Sequence, residues 1–517
     1  MIRRLLLRSA LTIAILITCL APAVAQDAAQ VLRLSVGYGT MKNTPAMMAK
    51  LTPETRAEVD RLEQMARAAN GESKFGDALK HLYHAMALMR GNEWTPARAL
   101  GTAVTVKLDQ QMLDPGETVS LKVGQLFSLD EKPAGKLAAS ITLVKMKGDD
   151  VVKELKTIDA IDSDLMAHPL SVEVAMPEIE TGNYRVAVQF KVAGGDQVVK
   201  YATVHIERGL AADFAAAKAR AAKLEAALKA KHQDALAAAV PSASYRISLF
   251  ELARTGEINF DRIDFRDALK EATSMLDALS AGTDPFAARR GEFKKAYLSA
   301  VDNTLQPYQM FVPSGYDKSK PFPLIIALHG MGGDENSYFA VYGQGAFKTE
   351  AEKHGYIVAC PKGRKPASMY VGDAEKDVMD VIAEVRRAYN VDPDRIYLTG
   401  HSMGGFGTWS VAMDHPDVFA ALAPISGGAN TPASMSRIAH IPQLVVHGDN
   451  DPTVPVERSR VMVAMGKKLG AEIKYIEVPG GDHGSVVAPN FPAVFEWFDS
   501  HKRKSGIAAG AAAGSKN

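Results

Sequence analysis

The spacing of hydrophobic residues changes period along this chain, and each change marks a different kind of element. Residues 52–90 carry apolar positions at helical spacing: Leu62, Met65 and Ala69 on one face, Leu79, Leu82, Tyr83 and Met86 on another. That predicts two amphipathic helices. From about 100 to 207 the period drops to two. Segments opening at Val104, Val119, Ile141, Val172 and Tyr184 alternate apolar and polar residues, with turn signals at Asp114-Pro-Gly, Gly148-Asp-Asp and Ala193-Gly-Gly-Asp. Short strands at this spacing predict a β-sandwich. Residues 210–239 are alanine-rich with interspersed Lys, Arg and Glu, a composition of high helix propensity, and Pro241 ends the run. A second helix is predicted over 264–280. The pair reads as a rigid spacer or a hairpin packed on the sandwich rather than as a substrate lid.

From about residue 295 strands and helices alternate. Phe322–Leu328 is a continuous apolar run, as expected of a central parallel strand covered on both faces. Further strands are predicted at 356–361, at 395–400 after a turn at 391–394, at Gln443–Gly448 and at Ile473–Val478, with a closing helix from Phe491.

Composition adds bounds. The chain has 517 residues, room for about three domains. Its net charge is +1; without Arg3, Arg4 and Arg8 of the first 25 residues, 57 basic groups face 59 acidic ones. That gives no electrostatic case for nucleic acid or an anionic membrane surface. The N-terminus has the form of a secretory signal: arginines, an apolar run from Leu11 to Leu20, then Ala23-Val-Ala25. The run is too short for a comfortable membrane span. Export to the periplasm or beyond, without a stable membrane anchor, is therefore expected. Past Cys19 the remaining thiol is Cys360, in an apolar strand, which reads as a packing residue.

Three stretches carry chemistry: Gly-His-Ser402-Met-Gly, His-Gly-Asp449-Asn-Asp451 and Gly-Asp-His483-Gly. Each follows a predicted strand, in the order Ser, Asp, His. A serine hydroxyl is a weak nucleophile alone and needs a base, and the base needs an orienting acid. The run after Ser402 reads as a helix, so strand, sharp turn and helix form a nucleophile elbow, with Gly400, Gly404 and Gly405 supplying space. Upstream, His329-Gly-Met331-Gly-Gly follows the central strand. The N–H groups of Met331 and Met403 are assigned as the two donors to the developing oxyanion. Asp451 is preferred to Asp449 as the acid because it stands farther beyond its strand; Asp449 suits a turn bond. His329 and His447 read as structural, and His401 as shaping the elbow or lining the pocket. Tyr338, Phe339, Tyr370 and Trp409 are candidate pocket residues. The chemistry calls for no metal and no cofactor.

These residues support a resemblance. The run from Asp394 to Trp409 (Asp-Arg-Ile-Tyr-Leu-Thr-Gly-His-Ser-Met-Gly-Gly-Phe-Gly-Thr-Trp) makes residues 295–503 similar to α/β-hydrolase serine esterases grouped with feruloyl esterases, polyhydroxybutyrate depolymerases and prolyl-oligopeptidase-type peptidases. In particular it resembles esterases with an immunoglobulin-like domain ahead of the catalytic one. The resemblance implies Ser402 as nucleophile, Asp451 as acid, His483 as base, and Met331 and Met403 as oxyanion donors. The domain plan is a signal peptide (1–25), an N-terminal helical region (26–98), an immunoglobulin-like β-sandwich (99–208), a helical connector (209–290), an α/β-hydrolase domain (291–503) and a disordered tail (504–517). The expected activity is hydrolysis of a small or polymer-derived carboxylic ester through an acyl-enzyme. A serine peptidase and a non-catalytic glycan- or partner-binding protein are the alternatives. Oligomeric state is left open.

Overall fold

The computed structural model describes residues 28–503, apart from 29, 133–134, 192–196, 366 and 430. The expected signal peptide and tail lie outside the described residues. Two compact units emerge: one holds the described residues up to 213 together with 250–262, the other holds 214–249 and those from 263 onward.

In the first unit, helices Pro53–Gly71 and Phe75–Met89 bury Val59, Leu62 and Ala66, and Leu79, Leu82 and Met86. Thr52 caps the first, its hydroxyl accepting the Thr55 N–H at 3.2 Å, and Pro53 needs no amide partner at that position. A three-stranded sheet and a five-stranded sheet follow. Leu121, Val123 and Val174 of one sheet share a core with Leu143, Val188 and Val204 of the other, and with Leu79 and Leu82 of the helices. Helices and sheets, expected as separate segments, are thus one hydrophobic body. The strand Val151–Ile161 escapes the alternation rule because it lies at a sheet end and is mostly exposed, carrying Lys153, Glu154 and Lys156. Charges on an edge strand deter pairing with other chains.

The second unit is built on eight strands: β1 (Gly291–Leu298), β2 (Leu305–Val312), β3 (Phe322–Leu328), β4 (Ile357–Pro361), β5 (Val391–His401), β6 (Ala421–Ile425), β7 (Gln443–Gly448) and β8 (Ile473–Val478), in the order β8-β7-β6-β5-β3-β4-β2-β1. β3 to β8 run parallel; β2 is antiparallel to both β4 and β1. The parallel strands β3 to β7 are almost wholly buried, which is why their sequences read as unbroken apolar runs. The turn expected at 391–394 is instead a bulge inside β5: Phe322 pairs with Val391 and Leu324 already with Ile396. Cys360 is buried, and burial pushes its thiol well above the usual range, so it packs rather than reacts.

The helical stretch after 209 is more than a spacer. Helix α1 (Val240–Arg254) lies against edge strand β1. The Ser242 hydroxyl accepts the Ala296 N–H at 3.0 Å and faces the Ala296 carbonyl at 3.2 Å. Arg246, buried, donates to the Lys294 carbonyl at 3.0 Å and forks onto Glu271 of helix α2 (Phe265–Ser280) at 2.7 and 3.0 Å. These side chains satisfy backbone groups that an edge strand would otherwise leave unpaired. The unit around β1–β8 therefore begins well before residue 291. Arg246→Ala strands the Lys294 carbonyl and leaves Glu271 with only Arg289. It should lower unfolding free energy by about 2 kcal/mol in a denaturant titration; an unchanged midpoint would contradict this role for α1.

Candidate functional site

Ser402 stands between the end of β5 and helix α3 (Met403–Asp414), with φ 56° and ψ −117°. A side chain in that region costs about 1–3 kcal/mol and persists only where its surroundings enforce it. Here the enforcement is backbone packed on backbone. A Cβ on Gly404 would sit 1.9 Å from the Leu328 carbonyl oxygen; one on Gly400 would sit 2.2 Å from that of Gly404; one on Gly405, 2.6 Å from that of Ile425. Ser402 itself is tied in by its N–H to the Ile425 carbonyl at 2.9 Å.

His483 follows β8 and Asp451 follows β7. The His483 Nε2 lies 2.8 Å from Ser402 Oγ, and its Nδ1 lies 2.7 Å from Asp451 Oδ2. The other oxygen, Oδ1, accepts the N–H groups of Thr453 at 2.8 Å and Val454 at 2.9 Å. Burial pushes the Asp451 carboxyl up, but the His483 bond and these two N–H groups outweigh it and hold it below the ordinary carboxylate value. Asp449 is turned elsewhere: it accepts the Gly480 N–H at 2.6 Å. His447 is buried, bonds the Val454 carbonyl through Nε2 at 2.9 Å and passes within 3.3 Å of Asp451 Oδ2.

Met331 and Met403 flank the serine in different ways. Met403 opens α3, so its N–H has no acceptor within the helix. The turn carrying Met331 approaches from β3: a Cβ on neighbouring Gly330 would lie 3.4 Å from the Ser402 Cβ. The Gly330 N–H is already committed to the Tyr342 hydroxyl at 3.0 Å. His401 is buried, and desolvation followed by the proximity of His483 lowers its imidazole to about 4.

The four aromatic residues expected at a pocket are core residues instead. Tyr338, Tyr370 and Trp409 are 0% exposed and Phe339 is 2% exposed. Trp409 donates its indole N–H to Gln443 Oε1 at 2.9 Å, Tyr338 packs edge-on against Phe347, and Phe339 packs edge-on against Phe311. Tyr370 fills the space beside Gly407, where a Cβ would come within 2.7 Å of its ring. Closeness to a motif in sequence does not say which way a ring turns. Apolar surface is offered instead by Met331 and Val371, and a groove lined by Met369, Val371, Phe406, Met413 and Gly428 lies beside α3. Among the described residues no group of three or more His, Cys, Asp or Glu is arranged to hold a metal ion, and no helix is long and apolar enough to cross a membrane. Tyr342 carried no sequence signal: its partners Gly330 and His401 are 12 and 59 residues away.

Residues 370–441 match the prolyl oligopeptidase family. The chain is 30% identical over 192 residues to a probable feruloyl esterase C of Aspergillus oryzae, covering 35% of this chain and 68% of that one. It is 31% identical over 197 residues to that of Aspergillus terreus, covering 36% and 69%. A bifunctional acetylxylan esterase/xylanase of Neocallimastix patriciarum is 35% identical over 134 residues, covering 25% of this chain but only 19% of that protein. Among solved structures, a thermostable esterase aligns over 78% of this chain and 100% of its own, with 18% identity and a TM-score of 0.38.

Two outcomes are expected. Trp409→Phe leaves Gln443 Oε1 without its donor and should cost about 1–3 kcal/mol of stability, while KM for any substrate stays put; a raised KM with an unchanged melting point would return Trp409 to the pocket. The second concerns His401, whose ordinary value is 6.5. Between 6.5 and about 4 the unfolded state holds the extra proton, so this group's contribution is complete above pH 6.5 and is lost as pH falls through 4. His401→Gln should flatten the fall in stability over that window by on the order of 3 kcal/mol; parallel curves would contradict a neutral, buried His401.

Proposed function

The chain belongs to the α/β-hydrolase serine esterases, and from that premise we propose that it hydrolyses carboxylic esters at Ser402. One observation carries the reading: a single imidazole, His483, bridges a serine on a strained elbow and a carboxylate on the next loop but one, at 2.8 and 2.7 Å. His483 Nε2 takes the Ser402 proton as Oγ attacks the acyl carbonyl. Asp451 holds the Nδ1–H tautomer and steadies the imidazolium. The N–H groups of Met331 and Met403 receive the oxyanion, the latter aided by the positive end of α3. His483 then gives its proton to the departing alcohol, and water activated by the same imidazole cleaves the acyl-enzyme.

Aromatic acyl esters of the feruloyl kind are the first substrates to try, because two of the relatives carry that name. The second reading, a serine peptidase, draws on the prolyl oligopeptidase match, but that match ends at residue 441, before both Asp451 and His483. The first unit is proposed to be an immunoglobulin-like module fronted by a helical hairpin, and the chain to be exported.

Ser402→Ala should abolish turnover and fluorophosphonate labelling while leaving the melting point intact; label on another residue would sink the assignment. Asp451→Asn should cost about 10⁴ in kcat by stabilising the wrong tautomer, and Asp449→Asn far less. A reversal of that ranking would make Asp449 the acid. Parallel assays with feruloyl esters and peptide amides decide between the two readings.

A further inference from the structure

His401 and Tyr342 have no part in the reaction as written, yet they lie between the turn after β3 and the loop after β8. His401 Nε2 lies 2.8 Å from the His483 carbonyl oxygen. A carbonyl can only accept, so Nε2 must carry the proton and Nδ1 must be the bare acceptor. Nδ1 lies 3.2 Å from the Tyr342 hydroxyl, which therefore donates to it. The same phenol oxygen accepts the Gly330 N–H at 3.0 Å. Burial raises the Tyr342 phenol and lowers the His401 imidazole, so both remain neutral through the working range and no proton competes for the arrangement. The rings pack accordingly: Tyr342 meets His401 edge-on at 5.2 Å, and His401 meets His483 at a tilt of 47° and 4.7 Å.

We propose that His401 is a positioning residue which, with Tyr342, ties the turn bearing the oxyanion donor to the loop bearing the base. The chain runs Gly330 N–H to Tyr342 O–H to His401, and His401 N–H to His483 C=O. At one end it commits the amide next to Met331. At the other it anchors the backbone of the very residue whose imidazole must meet Ser402 Oγ. His483 sits on a loop entered through Gly480, at φ +68°, and Gly481, so its carbonyl is a natural place to fix it. Tyr342 is itself held in place by a tight turn: Gly343 has φ 66° and a Cβ there would come within 2.6 Å of Ala488. The bond to His483 uses only its backbone, so the imidazole stays free to shuttle a proton.

This inference rests on Ser402 and His483 as nucleophile and base, so fluorophosphonate labelling of Ser402 in the unaltered full chain comes first. Steady-state kinetics on an activated aryl ester then compare Tyr342→Phe, His401→Leu, His401→Gln and the Tyr342→Phe/His401→Leu double variant. Misplacing a catalytic group by an ångström costs on the order of a hundredfold. His401→Leu should accordingly lower kcat tenfold or more with KM nearly unchanged, and Tyr342→Phe, which removes one oxygen, should lower it in the same sense. The double variant should be no slower than His401→Leu, because both break one chain. Glutamine offers an amide donor and a carbonyl acceptor at one tip, so His401→Gln should recover most of the loss. Wild-type kcat in His401→Leu, effects that multiply in the double variant, or a glutamine variant as slow as leucine would each overturn the proposal. Failure of the wild-type chain to label at Ser402 would instead bring down the parent reading and this inference with it.

Discussion

The site depends on backbone meeting backbone without a side chain between. Gly404 touches the end of β3, Gly400 touches Gly404, and Gly405 touches the end of β6, each closer than any Cβ allows. Helix α3 can therefore start directly above the strand ends, and the single residue at the crossing, Ser402, has to take a positive φ. Its strain is a consequence of that contact and is offset by the burial of β3, β5, β6 and α3 around it.

A second crossing of the same kind sets the other half. A Cβ on Gly448 would lie 2.1 Å from the Gly481 carbonyl oxygen, and that oxygen accepts the Asn450 N–H at 3.1 Å. The loop after β7 and the loop after β8 are thus locked to each other before either reaches Ser402. Asp451 and His483 arrive as a pair, with Asp449 spent on holding Gly480. Electrostatics follow from placement: the carboxylate is buried yet well supplied with donors, so it stays charged beside the imidazole it is bonded to.

What could be read from the sequence was whatever local rules control. Unbroken apolar runs marked the parallel strands because those strands are covered on both faces. Glycines around Ser402 marked the elbow because nothing larger fits. The order Ser, Asp, His with each at a strand end brought three distant residues to one edge of the sheet, because parallel strands all deliver their ends to the same side. Long-range choices were not legible. Trp409 and Tyr370 lie near the motif yet face inward, and only the packing partners decide that. Tyr342 meets His401 across 59 positions through a turn whose glycines say that it bends but not toward what. The charged strand Val151–Ile161 and the cover that α1 gives β1 have the same cause: an edge is defined by what is absent beside it in space.

The proposed chemistry stands on one covalent event, the acylation of Ser402 Oγ during turnover. Rapid mixing of the full chain with a p-nitrophenyl ester, acid quenching at increasing times, and mass measurement of the proteolytic peptides test it most directly. A burst of p-nitrophenol approaching one per chain is expected, with the acyl mass on the peptide containing Ser402, decaying as hydrolysis proceeds. Ester turnover with no acyl adduct at Ser402 under conditions where deacylation limits the rate, or an adduct on another residue that decays at the turnover rate, would contradict it.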